Sequence, residues 1–320
     1  MSRTPPHSRP SSGAGQRRPS AADPTGAASP SKPEPSKPAS NKPAPGLYLT
    51  AVPIGNAADI TLRALDLLRG ADAIACEDTR TTGRLMSIHG IRTRLIPYHE
   101  HNAAEMRPKI LRRIAEGEAI ALVSDAGMPL ISDPGYKLAR AARDQGLAVT
   151  CLPGASAPLV GLLLSGLPSD RFLFAGFPPP KSAARRTFLA ELAPIAATLI
   201  LFEAPHRLPE CLADLAAVLG DREAAVTREL TKLFEEVRRG PLPELAAHYA
   251  EAGPPKGEIV IVIGPPGEAA RPSEEDLSGQ LRRALASMSL RDAVEAVAAA
   301  TGEPKREVYR LALDLADDEK

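Results

Sequence analysis

Ala119-Ile120-Ala121-Leu122-Val123-Ser124-Asp125-Ala126-Gly127-Met128-Pro129-Leu130-Ile131-Ser132-Asp133-Pro134-Gly135 is the stretch on which the fold turns. Its first five residues form an uncharged apolar run, the pattern of a strand covered on both faces. The loop that follows carries two carboxylates, two glycines and two prolines. Glycine lets backbone approach a ligand closely, and proline stiffens the path. Open α/β sheets bind ligands beyond the carboxyl ends of their strands, so chemistry is expected in this loop. An ordinary strand-to-helix connection would share its outline, so the loop alone does not decide the function.

The pattern on either side is regular. Strands are expected over residues 47–54, 73–76, 95–98 and 148–152, and helices over 59–68, 103–116 and 135–144, with Asp59 as the N-cap of the first. This alternation predicts an α/β fold with a largely parallel sheet and helices on both faces. A second α/β block begins near Leu167, with strands over 172–176, 198–202, 224–228 and 258–263 and helices over 182–192, 208–219 and 243–251. Pro178-Pro179-Pro180 is a natural break between the blocks. Three short helices close the chain, over 277–286, 290–299 and 305–315, with helix-turn-helix spacing and basic residues opening the last. The same spacing suits a helical packing appendage. The domains expected are thus 1–46, 47–166, 167–266 and 267–320.

The zero net charge of the 320 residues hides an asymmetry. Residues 1–46 hold eleven of the 33 prolines and seven basic residues against two acidic ones. With no apolar periodicity such a segment is expected to be a disordered basic arm, able to hold an RNA backbone loosely or simply solvated. It lacks the apolar core of a secretory signal, and nowhere does the chain approach the ~20 apolar residues that cross a bilayer. Cys76, Cys151 and Cys211 form no Cys-x-x-Cys pair. Reduced thiols, a cytoplasmic location, no membrane and no structural zinc are the corresponding expectations.

Candidate chemistry gathers at strand ends. Leu49-Thr50-Ala51-Val52-Pro53-Ile54-Gly55-Asn56 is not Gly-x-Gly-x-x-Gly, so the usual dinucleotide fingerprint is missing. Glu77-Asp78-Thr79-Arg80 suits proton handling or a polar clamp, and equally a helix start capped by Asp78 or Thr79. His99-Glu100-His101-Asn102 could begin a metal site but has no evident third ligand, and a polar rim suits it better. Pro153-Gly154-Ala155-Ser156-Ala157 leaves room for a flat group and offers backbone donors at a helix start. Glu203-Ala204-Pro205-His206-Arg207 and Arg228-Glu229-Leu230-Thr231-Lys232 set mixed charges at two strand ends, with basic groups able to meet phosphate.

Taken in order, Val52 to Thr61, Cys76 to Arg80, Ser124 to Gly135, Pro153 to Ser156, Glu203 to Arg207 and Arg228 to Lys232 closely resemble the bacterial ribosomal small-subunit methyltransferase I family (RsmI). The resemblance runs from Leu47 to about Pro266, and the last helices look like that family's tail domain. It implies a tetrapyrrole methylase-like fold: two α/β domains with S-adenosylmethionine (SAM) bound in the cleft between them, plus the small C-terminal helical unit. The implied reaction is 2′-O-methylation of cytidine 1402 in 16S ribosomal RNA of the 30S subunit, by a homodimer without a metal. Ser124-Asp125-Ala126-Gly127-Met128-Pro129 replaces the Gly-Asp-Pro loop typical of the tetrapyrrole enzymes, which fits the RNA-modifying branch. By this analogy Asp125, Ala126, Gly127 and Met128, with Pro153, Gly154, Ala155, Ser156 and Ala157, would cradle SAM. Pro53, Ile54 and Gly55 would lie beneath the methyl donor, and Glu258 and Ile259 near the adenine. Candidates to accept the hydroxyl proton are Glu77, Asp78, Glu203, Glu229 and His206. Arg80, Arg207, Arg228 and Lys232 would orient phosphates. A tetrapyrrole (small-molecule) methyltransferase and a non-catalytic RNA-binding assembly factor are the alternative readings.

Overall fold

The computed structural model describes residues 42–132, 135–267, 274–301 and 303–318. Most of the arm expected over 1–46 lies outside them. Its last residues are ordered: Lys42 pairs with Asp72 at 3.0 Å, and Gly46 opens the first strand.

Five strands make a wholly parallel first sheet: β1 (Gly46–Thr50), β2 (Ala73–Cys76), β3 (Leu95–Pro97), β4 (Ala119–Val123) and β5 (Val149–Leu152), in the order β3-β2-β4-β1-β5. Every residue of β2 and β4 is buried, which is why neither carries a charge. The two-residue period of β4 divides its side chains. Ala121 and Val123 pack toward α1 (Leu62–Gly70) and α2 (Thr79–Ile88), on one face. Ile120 and Leu122 pack toward α3 (Ala103–Ala115) and α4 (Tyr136–Asp144), on the other. β4 thus leads to a helix on one face while its neighbours β1 and β2 lead to helices on the opposite face. The crevice at such a switch in winding is where α/β sheets bind ligands.

Two local expectations are corrected here. The strand expected over 47–54 ends at Thr50, and beyond it Val52 makes an isolated antiparallel bridge with Gly127. Pro53 has no N–H with which to extend a ladder. Nor does Asp59 cap the first helix. It ends a 3₁₀ turn, Ala57–Asp59, whose cap is Asn56, and α1 starts after Thr61, whose hydroxyl accepts the Ala64 N–H at 3.1 Å.

The second sheet contains β6 (Phe172–Gly176), β7 (Thr198–Glu203), β8 (Glu223–Arg228), β9 (Glu236–Pro241) and β10 (Ile259–Ile263), in the order β6-β7-β10-β8-β9. Only β6 and β7 run parallel; the other neighbours are antiparallel, so this sheet departs from the doubly wound pattern of the first. α6 (Ser182–Leu192), α7 (Leu208–Leu219) and α8 (Leu242–Ala252) cover one face through Leu189, Leu212, Leu215 and Leu245. The other face takes α5 (Ala157–Ser165), with Leu162 against Ile200, Val260 and Val262. Ile54 of the first layer joins that same cluster. α5 therefore follows the first sheet in sequence but packs on the second. Its apolar window leaves Leu159 and Leu163 exposed on the far side. Pro178-Pro179-Pro180 joins β6 to α6 and so lies inside the second layer, not at a break between blocks.

α9 (Glu274–Leu285), α10 (Leu290–Thr301) and α11 (Lys305–Asp318) pack around Leu281, Val294, Val297, Val308 and Ala312, a core of their own. Ser289 starts α10 by accepting the Asp292 N–H at 3.3 Å and donating to the Asp292 carboxylate at 2.6 Å.

Candidate active site

A cleft of about 380 Å³ opens at the carboxyl end of β4. Ile54 and the loop after β4 (Asp125, Ala126, Gly127, Met128, Ile131, Ser132) form one wall, with Ser156, Ala157 and Pro158 at the start of α5. The second sheet supplies Phe177, Phe202 to Pro205, Leu230 and Gly257 to Val260. Apolar walls with a few polar groups at this size suit a small organic ligand.

The chain reaches this geometry through backbone that side chains disfavour. Val52 and Gly127 exchange two backbone hydrogen bonds, of 2.9 and 3.1 Å, that tie the β1 and β4 loops together. Gly127 takes φ +75°, and a Cβ there would lie 3.2 Å from Ile54 Cγ2, so the site wants glycine on both counts. At Gly154 a Cβ would fall 2.7 Å from that of Ala51, which keeps the β5 loop close beneath β1. Leu130, Ser132, Glu229 and Thr231 are the non-glycine residues with positive φ among the described residues. All four lie in the two loops that border the cleft. Strain of this kind persists only where the surroundings over-determine it, and it gathers at functional sites.

Charged side chains surround the cleft in three groups. At the ends of β2 and β4, the Asp78 N–H donates to Asp125 Oδ1 at 3.1 Å. Asp78 caps α2, accepting the Arg80 N–H at 2.8 Å and the guanidinium at 2.6 Å, and these bonds hold its carboxyl down to about 2. Glu77, half-buried, has its carboxyl pushed up by burial and then by the Asp125 charge. In the second layer Glu203 is buried, and its Oε1 accepts from Arg207 Nε and the Ala204 N–H, each at 2.7 Å. Oε2 of Glu203 is buried with no hydrogen-bond partner among the described residues. The third group is Lys232, whose ammonium donates to Glu229 at 2.8 Å and to Glu258 at 3.0 Å. Its methylenes pass over Gly55 so closely that no Cβ would fit there. The Lys232 ammonium holds the Glu229 carboxyl below its ordinary value.

Of the residues expected around SAM, Ile54, Asp125 to Met128, Ser156, Ala157, Glu258 and Ile259 line the cleft. Pro53, Gly55, Pro153, Gly154 and Ala155 shape the loops behind or beside it. Among the candidate proton acceptors, Glu203 lines the cleft, Glu77 and Asp78 adjoin it through Asp125, and His206 stands exposed on the 3₁₀ turn Pro205–Arg207. The candidate phosphate contacts divide. Arg80 is paired with Asp78 but exposed, whereas Arg207, Arg228 and Lys232 are less exposed and held by Glu203, Glu236 and the Glu229–Glu258 pair. Phe177, Phe202, Ile131 and Ser132 also line the cleft and were not anticipated. Phe177 follows the strand 172–176 directly, and its place at a strand end was the available signal. Among the described residues no group of three or more His, Cys, Asp or Glu is positioned to hold a metal.

Two sheets that share a cleft at the switch strand define the class. The family model of Tetrapyrrole (Corrin/Porphyrin) Methylases matches residues 46–246, and the chain belongs to that family. Solved relatives of the fold include uroporphyrin-III-C-methyltransferase from Thermus thermophilus (22% identity, TM-score 0.50, 68% of this chain and 93% of that one). Cobalt precorrin-4 methyltransferase is another (18% identity, TM-score 0.51, 68% of this chain and 94% of that one). Within the class, the chain is a member of the ribosomal RNA small subunit methyltransferase I family. It is 52% identical to the protein of that name from Mesorhizobium japonicum over 85% of this chain and 93% of the relative. Likewise it is 43% identical to the one from Escherichia coli O157:H7, over 84% and 94%. The model of the RsmI C-terminal HTH domain matches residues 271–316.

Proposed function

We propose that this protein transfers a methyl group from SAM to the ribose 2′-oxygen of cytidine 1402 in 16S ribosomal RNA. The observation that carries the reading is the convergence of Asp125–Met128, Ser156–Ala157 and Glu258–Ile259, far apart in sequence, on one cleft, in a chain whose curated relatives are named for ribosomal RNA methylation. The residues present fit SAM. The cleft is largely apolar, Gly127 lets the loop after β4 pack closely on Ile54, and the Asp125 carboxylate lines the cleft for a ligand that carries positive charge. When bound, SAM supplies an activated methyl group.

What the chain itself contributes is position and proton control. Strained loops on both sides of the cleft fix its walls before the substrate arrives, and such pre-organisation is a large part of catalysing an in-line displacement. The 2′-hydroxyl needs an acceptor for its proton. Asp78 is committed to Arg80, Glu229 to Lys232 and Glu203 to Arg207. Glu77 makes no such ion pair among the described residues, and its raised proton affinity suits a general base. Glu203 then serves as a buried brace that aims Arg207, and Arg80, exposed, meets a phosphate near the target. Leu159 and Leu163, one turn apart and exposed on α5, give a homodimer an apolar contact.

The test is tritium transfer from labelled SAM to purified 30S subunits lacking the modification, followed by mapping of the labelled nucleotide. Label at one cytidine 2′-oxygen is expected. SAM binding without transfer to subunits or 16S RNA would instead favour a small-molecule substrate.

A further inference from the structure

Aromatic side chains are scarce in this protein: six Phe, five Tyr and no Trp in 320 residues. Three of the six Phe form one cluster. Phe174 meets Phe202 edge-on at 4.9 Å, and Phe177 meets Phe202 at 5.3 Å and 54°. Phe202 and Phe177 both line the cleft, yet Phe177 is 55% exposed. A lone exposed apolar residue needs no explanation. This one has an aromatic wall behind it and an open ring surface at the rim of a ligand-sized cleft. It stands at the end of β6, the edge strand of its sheet, and its neighbour Gly176 approaches the strained Ser132. That places Phe177 at the far end of the β4 loop from Asp125–Met128.

We propose that Phe177, backed by Phe202, is the stacking platform for the extruded pyrimidine base of the RNA substrate. The proposal rests on the function argued above and goes further by assigning base capture to a named side chain. A ribose can reach a recessed cleft only if its nucleotide leaves the helix stack, and the exposed base then needs a new π surface. A small cofactor would sit inside the cleft. A base arriving on a polymer meets the rim first, which is where the exposed ring lies. Phe, without polar atoms, takes the base by its face and leaves discrimination to hydrogen bonds elsewhere.

The experiment compares Phe177→Ala and Phe177→Trp with the unmodified protein, using 30S subunits lacking the modification and tritiated SAM, with SAM affinity measured separately by equilibrium dialysis. Phe177→Ala is expected to lower kcat/KM for subunits about 5- to 150-fold, the range for loss of one base-stacking aromatic. SAM affinity should stay within twofold, and Phe177→Trp should restore most of the rate. Unchanged transfer in Phe177→Ala overturns the proposal, as does SAM affinity that falls in step with the rate, because Phe177 would then pack against the cofactor. No transfer by the unmodified protein overturns the proposed function itself, and this proposal with it. Thermal unfolding of both variants checks that the exposed ring is not needed for folding.

Discussion

Glu77 is the carboxylate beside the cleft whose proton affinity is raised, by burial first and by Asp125 second. Glu77→Gln keeps the shape and removes the proposed base, so methyl transfer should drop about 10²- to 10⁴-fold while SAM affinity holds. Because the active form is the ionised one, the rate of the unmodified protein should rise with pH through a value above that of an ordinary glutamate. Glu77→Gln should flatten that limb in a pH–rate profile. A different residue decides stability. Arg185 is fully buried against Asp214 at 2.7 Å, with Glu210 at 4.0 Å. Asp214→Ala would strand that guanidinium and should cost about 3–5 kcal/mol in urea unfolding. Asp78 shows how far a residue can be understood from sequence. Its place at a strand end suited a cap, a polar clamp or a proton acceptor, and the structure makes it the cap of α2 with its charge paired to Arg80. That commitment depends on where the Arg80 side chain folds back, which composition does not reveal.

Elements were legible where one force dominated. β2 and β4 read correctly because burial on both faces excludes charge, and α7 matched the expected range of 208–219 because its apolar stripe is continuous. Boundaries failed where caps compete. Asp59 and Thr61 both suit an N-cap, but only the Thr61 hydroxyl meets a helical N–H. Thr61→Ala should therefore lower stability by about 1 kcal/mol in a denaturant titration while leaving methyl transfer unchanged. β9 escaped the sequence reading because Glu236, Arg238 and Arg239 give it no apolar alternation. It is the edge of its sheet, where charge guards against pairing with another chain, and Arg228 of β8 grips Glu236 at 2.7 Å.

For the whole molecule, α9, α10 and α11 have their own apolar core, so their loss should leave the two sheets intact. Arg291, Lys305, Arg306 and Tyr309 gather at one crevice between α10 and α11, although Lys305 is paired with Glu295 at 2.6 Å. A chain ending at residue 267 should unfold as cooperatively as before and bind SAM unchanged. Its KM for 30S subunits should rise about tenfold at low salt and converge on that of the full chain as salt is raised, as expected for lost phosphate contacts. Steady-state transfer measured across a salt series checks this.

The sequence by itself determined the α/β class, the order of the five strands of the first sheet along the chain, the loop after β4 as a wall of the cleft, and the family. Each rests on local information: the period of apolar residues, the absence of charge in buried strands, and six motifs in order. Only the tertiary structure decided that α5 crosses to the second sheet, that this sheet is mixed, and that Phe177 faces the same cleft as Asp125. It also decided which carboxylates at the cleft pair with a cation. The reason is physical. Packing partners and ion pairs form between residues distant in the chain, and their choice follows from which surfaces meet once the sheets have assembled.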